Sequence, residues 1–439
     1  MRAIVNITVT TLLCTSYALA ADDLQAVYRQ ALQSDPTLTA AAAGRNAAAE
    51  ALPEAQAALR PQLRAGGNLS YSAPSIQSGL GSDDHYQNHG YQLQLSQSLY
   101  QRGQQITLRQ ADATIAQADA DYAGSEQQVT LQVAQSYFAV LAAEDDLETA
   151  KAEQKAIGQQ LRQTQQRFEV GLSAITDVHE AQAGYDAAQA RVIAASSSVE
   201  MSREALRALT GQAWGVLAPL GETVPLDPPQ PANIDHWVEQ ALQHNPTLAS
   251  RSAASRVAGD GVALARSARL PAVDLIARHS YSDNASNSDS RRFDNSVAVE
   301  VSIPLYLGGS LASGERAASY RLAQVQAQLD AERREVVRQT REAYLNVTTG
   351  ISRVNATSQA LSSARTALKA TEAGFDVGTR TMVDVLNAQQ VLFGARRDYA
   401  AARYDYLLAV LALQAAVGTL DAADIEQVSG WLQSTHRDG

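Results

Sequence analysis

Two stretches decide the fold: FEVGLSAITDV, from Phe168 to Val178, and FDVGTRTMVDV, from Phe375 to Val385. They stand 207 residues apart. Each sets one glycine, Gly171 or Gly378, between two long runs rich in alanine, glutamine and charged residues. Glycine enters the left-handed backbone region that ends helices, so each stretch reads as a sharp turn joining two long helices. The expectation is that these turns form the closed inner end of a tube.

Proline placement extends this reading outward. All 12 prolines lie between Pro36 and Pro304, with none from Ser75 to Ala218 and none after Pro304. The two gaps admit helices far longer than the usual three or four turns, and their composition favours helix. Around the gaps the chain repeats itself. Asp35-Pro36-Thr37-Leu38 matches Asn245-Pro246-Thr247-Leu248, and Pro61 matches Pro271. Tyr71, Tyr100, Gly103, Tyr137 and Gly211 match Tyr281, Tyr306, Gly309, Tyr344 and Gly418. The offset is 210, then 206, then 207 without a gap from Tyr137 to Gly211, as helices in fixed packing register require. A unit of about two hundred residues is too long for a solenoid repeat, so this is a tandem duplication.

Within each unit the period changes once. Tyr91, Leu93, Leu95 and Leu99 alternate with glutamines and serines, and Val297, Val299, Val301, Ile303 and Leu305 alternate with smaller or polar residues. Such alternation marks strands with one apolar face. Leu63–Tyr71 and Val273–Tyr281 are their partners, and the polar stretches 72–88 and 282–294 read as hairpin loops. Four strands cannot close a barrel, for which about eight is the minimum. Two or three chains must share one. Nine or ten residues suit a tilted bilayer strand, and tyrosines near strand ends suit a membrane interface.

The long helical pairs are expected over about 105–209 and 311–417, and a helix over 37–59 interrupted at Pro53. The divisions are residues 1–20 as a secretory signal peptide; 21–211 as the first repeat, with its hairpin at about 62–101; and 212–233 as a proline-rich connector. Residues 234–418 form the second repeat, with its hairpin at about 272–306, and 419–439 a C-terminal equatorial tail. The only cysteine, Cys14, falls in the apolar part of the leader and reads as part of it, so no disulfide or cysteine metal site is expected. No other apolar run reaches about 18 residues, so any membrane crossing is made by strands. The net charge of −11 argues against nucleic acid as a partner. No nucleophile elbow, phosphate loop or zinc signature occurs, and the seven histidines are scattered. Neither an enzyme nor a cofactor is expected.

The whole pattern resembles the TolC family of outer-membrane efflux proteins. The resemblance rests on QTQQRFEVGLSAITDV (Gln163 to Val178), PLYLGG (Pro304 to Gly309) and VGTRTMVDVL (Val377 to Leu386). It implies a mostly α protein with a membrane β-barrel: a homotrimer whose twelve-stranded barrel, four strands per chain, continues into a long α-helical barrel. It also implies a place in the cell outer membrane reaching into the periplasm. The implied role is an exit duct for tripartite drug efflux and type I protein secretion. Its partners would be a periplasmic adaptor (membrane fusion) protein, an inner-membrane pump of RND or ABC type, and outer-membrane lipid. A rod-like coiled-coil adhesion or structural protein would explain the helices but not the strands.

By the same resemblance the tip is latched by Thr176 and Asp177 on the first turn and Arg380 on the second. A guanidinium suits that task because it can hold a carboxylate with two hydrogen bonds. Phe375 stands where the nearest members carry a tyrosine bonded to the first turn, so the latch is expected to lean on Arg380. The pore constriction of the family falls on Asp384 and Asn387, where members carry two aspartates. Residues three apart share a helix face, and three converging carboxylates favour cations. Glu180, the counterpart of Asn387 in the first repeat, either adds charge to the pore or is a solvated carboxylate.

Overall fold

In the computed structural model, residues 22–72, 86–221, 223–284 and 291–433 are described. The expected leader, Cys14 and the tips of both hairpin loops lie outside them.

Two short capped helices open each repeat. Asp35 accepts hydrogen bonds from the backbone N–H of Thr37 (2.7 Å) and Leu38 (3.0 Å) at the start of α2 (Pro36–Ala49), after α1 (Leu24–Ser34). Its counterpart Asn245 caps α7 (Pro246–Ser267) through Leu248 N–H at 3.1 Å, after α6 (Ile234–His244). Proline follows both caps at the first helical position, where its missing N–H costs nothing. The expected break at Pro53 falls earlier. Glu50 separates α2 from α3 (Ala51–Ala57), and Pro53 sits in the first turn of α3, where a helix tolerates it.

The hairpins follow: β1 (Gln62–Ser72) with β2 (Tyr86–Gln101), and β3 (Ala272–Asn284) with β4 (Arg291–Ser302). All pairings are antiparallel, in the order β1-β2-β3-β4. The strands run further into the polar stretches than the sequence pattern indicated, taking in 86–88, 282–284 and 291–294. Backbone pairing continues there although the apolar alternation has thinned to Phe293. In the other direction β4 ends at Ser302, so Ile303 and Leu305 are not strand residues; Pro304 follows and has no N–H to offer a ladder. Leu99 departs from the expected alternation as well. The pairing steps from Ser98 to Tyr100, and this bulge puts Tyr100, opposite Val273, on the face that Leu95 and Leu275 share.

Register sorts the sheet into two faces. One carries Leu63, Leu93, Leu95, Leu275, Val297, Val299 and Val301; the other carries Gln92, Gln94, Ser96, Arg278, Ser280 and Glu300. On the apolar face Tyr91, Tyr281 and Phe293 stand in one row, with ring centroids 5.6 Å and 4.9 Å apart. Most of the apolar side chains on this face are exposed, and the outer edges of β1 and β4 have no strand partner among the described residues.

From each hairpin a long helix descends: α4 (Arg102–Glu169, 68 residues) and α8 (Ser310–Asp376, 67 residues), each about 100 Å at 1.5 Å per residue. The chain returns through α5 (Ile175–Thr210) and α9 (Met382–Val417). α9 is apolar and long enough to cross a bilayer by composition. Its Leu407, Leu411 and Leu413 are instead buried in the bundle core.

That core forms a belt partway along the rod. Val133, Tyr137, Phe138 and Leu141 of α4 meet Leu24 and Val27 of α1, Leu217 and Leu220 of the connector, and Ile425 and Val428 of α10 (Ala422–Ser429). The buried Tyr137 hydroxyl donates to the carbonyls of Asp22 (3.1 Å) and Ala218 (3.0 Å), tying the chain start and the connector to α4.

Candidate functional site at the helical tip

Both turns are built alike. In the first, Gly171 N–H bonds to Phe168 C=O (2.9 Å) and Leu172 N–H to Arg167 C=O (2.7 Å), with Gly171 at φ 78°. In the second, Gly378 N–H bonds to Phe375 C=O (3.1 Å) and Thr379 N–H to Gly374 C=O (2.8 Å), with Gly378 at φ 79°. This double closure is the Schellman ending, which satisfies the last helical carbonyls and needs a left-handed residue.

The restart of each return helix differs. Thr381 and Asp384 form a full capping box. Thr381 Oγ1 accepts from Asp384 N–H (3.3 Å), and Asp384 Oδ2 accepts from Thr381 N–H (2.9 Å) and Thr381 O–H (2.9 Å). The first turn has Ala174 at the cap, with no side-chain acceptor, so only half of the box exists. Asp177 Oδ2 accepts from Ala174 N–H (3.3 Å) and Ser173 O–H (2.6 Å). Asp177 and Asp384 are thus equivalent residues in equivalent work. The Thr381 backbone and hydroxyl bonds, with Arg380 nearby, hold the Asp384 carboxyl below the usual carboxylate range.

The remaining candidates fall into two groups. Thr176, Glu180, Arg380 and Asn387 are exposed, and Asp384 is half-buried one turn from Asn387. Among the described residues no carboxylate lies within ion-pair distance of Arg380. The Arg380 stem instead lies over Gly374, where a Cβ would come within 2.8 Å of its Cγ. Phe375 is engaged from the first repeat: the Arg167 guanidinium carbon sits 4.9 Å from its ring centroid, and Arg167 Nη2 lies 3.6 Å from Asp376 Oδ1. Arg167 is the residue that sequence reasoning passed over. Its counterpart in the second repeat is Gly374, and that asymmetry was the available signal.

Around these groups the tip is apolar and open to solvent. Val170 is 69% exposed, Leu172 77% and Val377 75%. Exposed apolar side chains at the end of a rod mark a contact surface. Among the described residues no group of acidic residues and histidines is placed to hold a metal.

The chain matches the family profile "Outer membrane efflux protein" over residues 27–212 and 237–419. It is 40% identical over 427 residues to outer membrane protein TolC of Vibrio cholerae, covering 95% of both chains. It is 31% identical over 411 residues to the alkaline protease secretion protein AprF of Pseudomonas aeruginosa, covering 92% of this chain and 85% of that one. Among solved structures it superposes on outer membrane protein VceC of Vibrio cholerae with a TM-score of 0.77 at 20% identity, covering 90% of this chain and 96% of the other. The chain belongs to the outer membrane efflux protein family, whose members are channels of the outer membrane.

Proposed function

We propose that this chain is a passive exit duct shared by efflux and type I secretion, gated by iris-like opening of the helical tip. One observation carries the reading: a four-stranded sheet with an exposed apolar face and two open edges is continuous with helices about 100 Å long that end in paired turns. An open edge is untenable in lipid. Three copies close twelve strands into a barrel, and the helices then form a tube that crosses the periplasm. The polar face of the sheet lines the lumen and the Tyr91–Tyr281–Phe293 row meets the membrane interface.

The tip is the gate and the docking end. Arg380, exposed and with no ion-pair partner among the described residues, reaches the Thr176–Asp177 turn of the neighbouring chain. Asp384 and Asn387 line the constriction, with Asp384 alone supplying a ring of charge. The apolar tip receives a periplasmic adaptor bound to an inner-membrane pump of RND or ABC type. AprF is named for protease secretion, and the similarity to it supports secreted protein as one cargo.

Deletion of the gene tests this, with sensitivity to hydrophobic drugs and export of protein substrates measured in the same strain. Loss of both supports a shared duct. Loss of neither, or absence of a heat-sensitive trimer band from outer-membrane fractions, contradicts it.

A further inference from the structure

Above the tip, one carboxylate is buried where the two repeats meet. Glu153 of α4 is fully enclosed, its side chain 1% exposed. Arg191 of α5 donates to its Oε1 at 2.9 Å, and Arg397 of α9 donates to its Oε2 at 3.3 Å. Arg397 also lies 3.9 Å from Asp146, and Arg396 pairs with Glu148 at 3.2 Å. The triad is not a relic of the duplication, because the counterparts of Glu153, Arg191 and Arg397 are Ala360, Asp398 and Ala190. It is an addition specific to the contact between the two helical pairs within the chain.

Its position relative to the turns gives it a role. From Glu153 to the end of α4 is 16 residues, about 24 Å. Along that length, among the described residues, no ion pair joins α4 to α8 or α9 until Arg167 reaches Asp376. The intervening contacts are neutral, such as Thr164 O–H to Met382 Sδ at 3.9 Å. The two ionic ties differ in what it takes to part them. Separating Arg397 from Glu153 leaves a buried carboxylate half-compensated, which is strongly disfavoured. Separating Arg167 from Asp376 releases a pair whose side chains are already 29% and 61% exposed, and water replaces the contact. A swing of α8 and α9 therefore parts the lower tie first and keeps the upper one.

We infer that the Arg191–Glu153–Arg397 triad is the fulcrum of tip opening. The helical pairs stay joined there while the segments below it diverge and the Arg167 clasp on Phe375 and Asp376 lets go. The triad positions the gate and does not itself line it; the inference rests on the turns being the gate.

Pulsed electron spin resonance tests it with the triad intact. The only cysteine of the chain is Cys14, so nitroxide pairs are introduced in a Cys14→Ser background and labelled chains are diluted into unlabelled trimers. One pair, Lys155→Cys with Asp398→Cys, brackets the triad at exposed positions. The other, Glu169→Cys with Val377→Cys, brackets the tip. Each is measured with and without Arg380→Ser, and conductance is recorded on the same protein. The expected result is a raised conductance, a tip distance longer by more than a helical turn, about 5 Å, and an unchanged distance at the triad. In the same background Arg397→Gln transfers lengthening to the upper pair, and Arg397→Lys restores it. Raised conductance with the upper pair lengthened, with no change at the tip, or with no effect of Arg397→Gln, overturns the fulcrum alone. Unchanged conductance in Arg380→Ser overturns the gate reading on which it stands.

Discussion

Arg167 and Phe375 face each other across the boundary between the two repeats, guanidinium carbon 4.9 Å from ring centroid. The contact joins the last turn of α4 to the last turn of α8. A cation over an aromatic face is worth about 0.5–1 kcal/mol at such a partly exposed site. Phe375→Ala is therefore expected to raise single-channel conductance in planar bilayers, while Phe375→Tyr, which keeps the ring, leaves it at or below the wild-type level. Equal conductance in all three proteins would show that the contact does not bear on closure.

Gly374 is where the second turn makes room for its own arginine. A methyl group there meets Arg380 Cγ at 2.8 Å and Thr379 Oγ1 at 3.2 Å. Thr379 Oγ1 is tied to Gly374 C=O at 3.0 Å, and Arg380 Cγ clears the methyl group only by rotation of the whole side chain, so the arginine is displaced. Gly374→Ala is expected to give normal amounts of trimer and a conductance between wild type and Arg380→Ser. Loss of the trimer instead would show that the backbone, not the Arg380 stem, takes up the strain.

If Asp384 and Asn387 line the constriction as proposed, Asn387→Asp adds a second ring of three carboxylates one helical turn from Asp384. Block by trivalent cations is expected to tighten by roughly tenfold, about 1.4 kcal/mol, and Asp384→Asn to weaken cation selectivity. The pH dependence follows from the capping box. The Thr381 bonds depress the Asp384 pKa, so its carboxylate stays charged until pH falls through a value lower than that of a free aspartate. Selectivity measured across pH should hold from neutrality down to roughly pH 4. Loss of selectivity already near pH 6 would mean that repulsion among the three carboxylates outweighs the cap.

Asp145 has the opposite sign. Burial raises its pKa despite the 2.7 Å hydrogen bond from Tyr404 and the nearby Arg403. A raised folded pKa favours the protonated form, so this contribution is complete below the unfolded pKa and disappears as pH rises through the folded one. Asp145→Asn keeps an acceptor for Tyr404 and removes the charge. The variant is expected to dissociate at a higher temperature than wild type at pH 7, with the difference vanishing near pH 3. A lower temperature at pH 7 would show that the arginines hold the ionised form.

The turns, the duplication and the long helices were legible because each leaves a local mark: an isolated glycine, matched prolines, a proline-free run. The strands were legible only where one face is apolar. Their outer ends, Tyr86 to Asn88 and Arg291 to Asp294, pair as well as the rest but are mostly polar, with Phe293 continuing the apolar face alone. The bulge at Leu99 left no sign in the alternation. Charged residues were the least readable. Glu153 is one of many acids in α4, and nothing in its neighbours tells that two arginines from other helices enclose it. Arg167 sits within the motif that carried the family resemblance, yet its partner lies 208 residues further on. Local pattern reports helix and strand, whereas a cross-repeat contact depends on how two rods are rolled against each other.

The proposed duct is held nearly shut at its two turns, with Arg380 as the latch. Purified trimer in planar bilayers tests it most directly, comparing wild type with Arg380→Ser. Small, cation-selective, stepwise currents are expected for wild type and a several-fold larger unit conductance for the variant. Absence of stepwise currents from wild type, or the same unit conductance in both proteins, would contradict it.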